Sequence, residues 1–312
     1  MRPRSQSAGT KGRASLQSCG EAALSDFPIG VKRTTLPWGC GGDASPHKRV
    51  GIICGTLLGM NHLFFTFVLC LFSARAVAKS DNLLVGQPSA CDQVIDRPCF
   101  AVGYSKAHAQ ALWVQYHFTA EENRNRKHKR TNLFFADPEL DFETPDHWEY
   151  VSATYSRGHL APAADMQHSA AAMEASFYLT NISPQHRDMN GGIWADIEKF
   201  VRYSVNVEKR LYVVTGPIFG ANPKRIGRAQ IPIPTAFYKI IYDTTPPQKM
   251  IAFRVPNQPS SAPINSFVTT VDAIERETGF DFFSLVPEAE PLEATSSTEA
   301  WKKLNTWVRE NP

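Results

Sequence analysis

Between Tyr155 and Arg202 the chain gathers turn formers and reactive polar side chains more densely than a core-building segment does. The run YSRGHLAPAADM is followed, after ten further residues, by FYLTNISPQHRDMNGGIWADIEKFVR. His159 stands behind Arg157 and Gly158, Asn181 and Asn190 lie nine residues apart, and Glu198 and Arg202 are at helical spacing. A fold that accommodates this segment must turn its apolar residues into a core and leave the polar ones bordering a cleft.

Local patterns say how. Tyr155–His159 follows a strand-like stretch, and Gly158 is expected to turn the backbone sharply and present His159 instead of burying it. An imidazole, with an unperturbed pKa of about 6.5, suits a general base that takes a proton from water. A lone histidine is more often structural, and it is the neighbouring residues that favour the catalytic reading here. Ala161–Ser176 reads as loop and helix, with Met166, Met173 and Phe177 as packing and His168 on the surface. A loop then runs to Asn190-Gly191-Gly192, where a helix begins with Trp194, Ile197 and Val201 as its apolar stripe. Asn190, Glu198 and Arg202 lie off that stripe. Glu198 and Arg202 are one turn apart, so an ordinary i,i+4 ion pair is the competing reading. Magnesium keeps most of its waters and accepts one or two protein oxygens, which one amide oxygen from Asn190 could supply, with Glu198 on a coordinated water. His159 would then activate water while Arg157 and Arg202 neutralise a crowded phosphate.

The net charge of +3 is misleading as a guide to partners. Residues 1–78 carry nine Lys/Arg against three Asp/Glu, whereas the remainder carries 24 against 27. An argument for a polyanionic partner must therefore be local. The first 59 residues are rich in Gly, Ser, Arg and Pro and hold no core-forming period, so we expect a non-structural extension there. From Met60, the apolar run Leu63–Phe72 and Ala76-Val77-Ala78 form the pattern of a signal peptide over 60–78, with a mature chain from Lys79. Secretion, or a periplasmic location, follows from that reading. An uncleaved membrane anchor over Val50–Ser73 and an organelle transit peptide are the alternatives. After residue 78 only Cys91 and Cys99 remain, a spacing that reads as a small disulfide loop in an oxidising compartment, or else as two free thiols.

The rest reads as one globular domain over 79–287 and a Ser/Thr-rich acidic tail over 288–312. Ala111–Phe118, Leu211–Val214, Phe237–Tyr242 and Lys249–Val255 are strand-like, the last two an antiparallel pair. Thr215-Gly216-Pro217 reads as a turn and Val271–Thr278 as a helix. Arg124–Arg130 is the one dense basic cluster, able to grip phosphates or simply to be a solvated loop. Arg130, beside an apolar patch, is the member expected to face a site. Together these give an α+β class, with a central antiparallel sheet flanked by helices.

At these residues the chain resembles the DNA/RNA non-specific endonucleases, the ββα-metal or His-Me finger nucleases that include mitochondrial endonuclease G. The family's Asp-Arg-Gly-His, Thr-Asn-x-x-Pro-Gln and Asn-x-Gly-x-Trp-x-x-x-Glu motifs stand here as Ser156–His159, Thr180–Gln185 and Asn190–Glu198. The resemblance covers about Ala101 to Leu285. It implies His159 as general base, Asn190 as metal ligand and Glu198 behind it, with Arg157, Asn181, Arg202 and Arg130 organising phosphate and site. Ser156 replaces the family's aspartate, a change that would tune the histidine. The resemblance implies a Mg²⁺ cofactor, with Mn²⁺ able to substitute, DNA and RNA as substrates gripped by their phosphate backbone, 5′-phosphorylated products and a homodimer; an inhibitor protein is left open. An inactive nucleic-acid-binding module on the same scaffold is the alternative. A serine hydrolase is disfavoured because no G-x-S-x-G elbow exists.

Overall fold

The computed structural model describes residues 80–295 together with 301, 306 and 307. The extension over 1–59 and the leader over 60–78 lie outside the described residues. None of the helices among the described residues is long and apolar enough to cross a membrane.

The centre is a seven-stranded antiparallel sheet in the order β1-β2-β3-β6-β9-β10-β11. Its strands are β1 (Gln93–Asp96), β2 (Ala101–Ser105), β3 (Gln110–Thr119), β6 (Arg210–Ile218), β9 (Ala236–Asp243), β10 (Lys249–Pro256) and β11 (Val268–Thr269). The interior strand β9, AFYKIIYD, is buried at every position, because both faces of the sheet are covered. Alternation sends Phe237 and Ile241 to one face and Tyr238, Ile240 and Tyr242 to the other.

The first face packs against helix α4 (Ala195–Glu208) through Ile197, Phe200, Val201 and Val205, with Trp194 just before it. The expected stripe is thus the buried one. Trp301 and Trp307 also reach this face, each 6.0 Å from the Phe200 ring. The second face packs against α5 (Val271–Thr278), the Phe280–Val286 segment and α6 (Glu290–Glu293). Three short helices are also present among the described residues, α1 (Ala120–Arg124), α2 (Ala170–Ala175) and α3 (Arg187–Met189). The chain passes from α3 into α4 through a wide turn, Asn190–Trp194, kinked at Gly192. The helical path thus begins before Asn190, at Arg187.

A separate two-stranded hairpin, β4 (Tyr155–His159) with β5 (Ile182–His186), carries the segment of interest beside α4. A further small ribbon pairs β7 (Arg225–Ile226) with β8 (Ile231–Pro232). Two expectations are corrected. Residues 182–186, read as loop, are a strand; Thr215-Gly216-Pro217, read as a turn, continues β6, pairing with Lys239, Tyr238 and Phe237. The disulfide expectation is also corrected. Cys91 and Cys99 are free thiols packed against the clusters on opposite faces of the sheet. Cys91 Sγ donates to the Gln93 carbonyl at 3.3 Å, and burial pushes the Cys99 thiol up to about 11.

Candidate active site

In the β4–β5 hairpin the strand period places Arg157 and His159 on one face and Ser156 and Gly158 on the other. Gly158 therefore makes no turn. A Cβ there would lie 2.1 Å from the Gln185 side chain, so glycine is required by close packing within the hairpin. On that same face Ser156 Oγ donates to the Gln185 carbonyl at 3.2 Å and accepts from Asn190 Nδ2 at 3.1 Å. Asn190 is thereby tied to β4 three positions before His159, and its Oδ1 makes no hydrogen bond among the described residues.

His159 is 6% exposed. Its ring meets Phe177 edge-on at 4.9 Å and leans on Phe134 at 5.7 Å. Nε2 is enclosed with no hydrogen-bond partner among the described residues. Burial first, then the charges of Arg130 and Arg157, hold the imidazole down to about 3, so it is neutral at physiological pH. The two arginines lie on the same aromatic pair. Arg157 is centred 4.2 Å from the Phe134 ring and 5.0 Å from Trp148, with Nη1 donating to His147 Nδ1 at 2.6 Å. Arg130 sits 5.2 Å over Phe177, and its Nε donates to Asn132 Oδ1 at 2.7 Å. Phe134 and Phe177 thus form the floor that brings one imidazole and two cations together.

A second polar group lies where α4 meets the sheet. Arg202 Nη1 donates to Asp165 Oδ1 at 2.9 Å, and Asp165 Oδ2 accepts from the Tyr116 hydroxyl at 2.8 Å. Arg202 is therefore paired with Asp165, and the simple i,i+4 bridge to Glu198 is not made. Glu198 has no hydrogen bond among the described residues. Burial raises its carboxyl above the usual range, against the pull of Lys239, Arg202 and Arg130. Lys239 is fully buried. Its Nζ donates to Thr215 Oγ1 at 2.6 Å and to the carbonyl of Leu160, the residue after His159, at 3.4 Å. Desolvation lowers its pKa, opposed by Glu198 and Asp165.

Asn181 belongs to the support. It is fully buried; Oδ1 accepts from Ala161 N at 2.8 Å, and Nδ2 donates to the Ala161 and Ser176 carbonyls at 2.9 and 2.8 Å. It fixes the segment leaving His159 and presents nothing to a phosphate. The other members of Arg124–Arg130 are mostly exposed loop residues. Phe134, His147, Trp148, Asp165 and Lys239 escaped sequence reasoning. Only Lys239 left a signal, a lone charge inside the apolar strand AFYKIIYD.

The donor set fits a hard, hydrated divalent ion. One amide oxygen, Asn190 Oδ1, and one carboxylate, Glu198, are left without hydrogen-bond partners, and such an ion needs few protein oxygens. Among the described residues, no group of three or more His, Cys, Asp or Glu side chains gathers around them to favour a softer metal.

Residues 79–289 match the family model for DNA/RNA non-specific endonucleases. A nuclease from Syncephalastrum racemosum is 30% identical over 80% of this chain and 91% of its own length. The mitochondrial nuclease of Saccharomyces cerevisiae is 32% identical over 65% of this chain and 69% of its own. Among solved structures, a chain of the EndoG/EndoGI complex, described for the mechanism of EndoG inhibition, superimposes with a TM-score of 0.61. It is 27% identical, covering 65% of this chain and 90% of that one. With the hairpin, the kinked helix and the family's motifs in one place, this chain belongs to the DNA/RNA non-specific endonuclease family and is a phosphodiester-cleaving nuclease.

Proposed function

We propose that the protein is a Mg²⁺-dependent endonuclease, with Mn²⁺ able to substitute, that cuts DNA and RNA to 5′-phosphorylated products. The observation that carries this reading is a neutral, buried His159 between Arg130 and Arg157, with an unengaged amide oxygen and carboxylate nearby. Arg130 and Arg157 would bind the phosphate. Their charges depress His159, so a phosphate that neutralises them raises the affinity of His159 for a proton as substrate arrives. His159 then takes a proton from the attacking water. Asn190 Oδ1 would hold the ion and Glu198 would order its hydration shell. When bound, the ion supplies Lewis-acid stabilisation of the phosphate and of the leaving 3′-oxygen. Arg202, fixed by Asp165, adds positive charge as the phosphate becomes more negative. Contacts to the backbone, not to base edges, account for low sequence selectivity.

Plasmid DNA and total RNA incubated with the protein test this reading. Wild type should degrade both, and EDTA should stop it. His159→Ala should lose at least ~10²–10⁴-fold in rate, the usual loss on removing a general base. Binding without cleavage in the wild type would instead identify the inactive binding module on the same scaffold.

Secretion or a periplasmic location remains our proposal, resting on the leader pattern alone, because the free thiols no longer support an oxidising compartment. A mitochondrial destination is the second reading, favoured by relatives such as the yeast mitochondrial nuclease and human mitochondrial endonuclease G. The N-terminal residue of the mature protein separates them: Lys79 supports the signal peptide. A homodimer and an inhibitor protein belong to the same proposal, the latter because the solved EndoG is held by EndoGI. Light scattering and co-purification test the two.

A further inference from the structure

On the opposite face of the sheet from the nuclease cleft, α5 and α6 bring three carboxylates together. Asp272 and Glu275 are one turn apart on α5, Glu293 ends α6, and one oxygen from each lies within 4.8 Å of the others. Acidic clusters on solvated helices are common and carry little meaning. Glu293, however, is only 2% exposed, and its carboxylate makes no hydrogen bond or ion pair among the described residues. Its carboxylate points into the group formed by the other two.

The surroundings give it no compensation. Glu275 Oε1 accepts from Phe282 N at 2.8 Å, which leaves its other oxygen free for the cluster. Asp281 and Glu290 add further negative charge. The cation paired with the cluster, Arg276, reaches only Asp272, at 3.9 Å, and its side chain is 71% exposed. Burial, then four carboxylates and no cation, push Glu293 up to about 8. A buried carboxylate in this position takes either a proton or a cation.

The donor chemistry selects among cations. All the side-chain donors are carboxylate oxygens, which suit hard divalent ions. Magnesium keeps most of its waters and is held by one or two carboxylates, whereas calcium accepts more protein oxygens in a flexible geometry. Three protein carboxylates, drawn from two helices and within 4.8 Å of one another, therefore suit calcium. We propose that Asp272, Glu275 and Glu293 form a structural calcium-class cation site that ties α6 to α5, separate from the nuclease centre. The site would act as a clasp on the C-terminal end of the domain, independent of the chemistry on the other face.

The test uses the full chain, stripped with EDTA, dialysed and titrated with Ca²⁺ alone. Thermal unfolding is followed for wild type, Asn190→Ala and Glu293→Gln. With Ca²⁺ about 100-fold above its dissociation constant, the Tm of wild type and of Asn190→Ala should rise by about 5–10 °C. Glu293→Gln should not respond, should be at least as stable as wild type in EDTA, and should keep its Mg²⁺-supported nuclease rate. A rise in Glu293→Gln equal to that of wild type, or a rise lost in Asn190→Ala, places the ion elsewhere and overturns the proposal. No rise in wild type means that Glu293 holds a proton instead, which also overturns it. Should Glu293→Gln fail to fold, equilibrium dialysis of ⁴⁵Ca²⁺ with Asp272→Asn replaces it, with loss of one bound ion expected and retention contradicting the site.

Discussion

At the scale of single residues, the site is governed by how little His159 favours a proton. The imidazole is wedged between two phenylalanines and faces two guanidinium groups, so folding denies it the charge that the unfolded chain accepts readily. With a folded pKa of about 3 and an unfolded value near 6.5, the unfolded state binds more protons between those limits. This contribution to stability is therefore complete above pH 6.5 and declines as pH falls, by up to about 1.4 kcal/mol per pH unit. Urea unfolding at pH 7 and pH 5 should show a wild-type loss that His159→Phe reduces; equal losses in the two proteins would contradict the burial argument. The motif residues were legible because Arg157, His159, Asn190 and Glu198 form a spaced pattern. Phe134, Asp165 and Lys239 were not, since their roles arise from partners distant in sequence, such as Tyr116 with Asp165 and Thr215 with Lys239.

At the scale of elements, the β4–β5 hairpin is the part whose form sequence reading mistook. β5 reads ISPQH, with a proline and polar residues that are loop signals in most settings. Pro184 is tolerated because the hairpin has only two strands and both are edges. Gly158 likewise signalled a turn, whereas its actual constraint is the Gln185 side chain across the pair. Gly158→Ala should cost roughly 1–3 kcal/mol through overpacking, measurable by denaturant unfolding, and Gln185→Ala in the same chain should recover much of it. If the two changes were simply additive, the contact would not be the reason for glycine. The β6 mistake has the same origin. Gly216 and Pro217 look like a turn, but a Cβ on Gly216 would sit 2.3 Å from the Leu112 carbonyl, so the glycine serves strand contact. Elements with strong periodicity fared better: α5 spans the expected Val271–Thr278, and β9 with β10 forms the expected antiparallel pair.

At the scale of the whole molecule, the sheet is a two-faced wall. The candidate active site and α4 pack on one side, α5, α6 and the acidic trio on the other. This division explains why Cys91 and Cys99, close in sequence, do not pair: they pack against clusters on opposite faces. Dithiothreitol should accordingly leave the Tm unchanged, and a marked drop would show that a disulfide supports the domain. The α+β class and sheet were legible from alternating strands, while the two-face partition was not, because it depends on which non-local strands become neighbours.

The most direct test of the central claim is single-turnover cleavage rate against Mg²⁺ concentration for wild type, Asn190→Ala and His159→Ala. Asn190→Ala should move the midpoint to higher Mg²⁺, whereas His159→Ala should keep the midpoint and lower the plateau by ~10²-fold or more. Curves that superimpose on wild type for both variants would contradict the assignment of one group to the ion and the other to the proton.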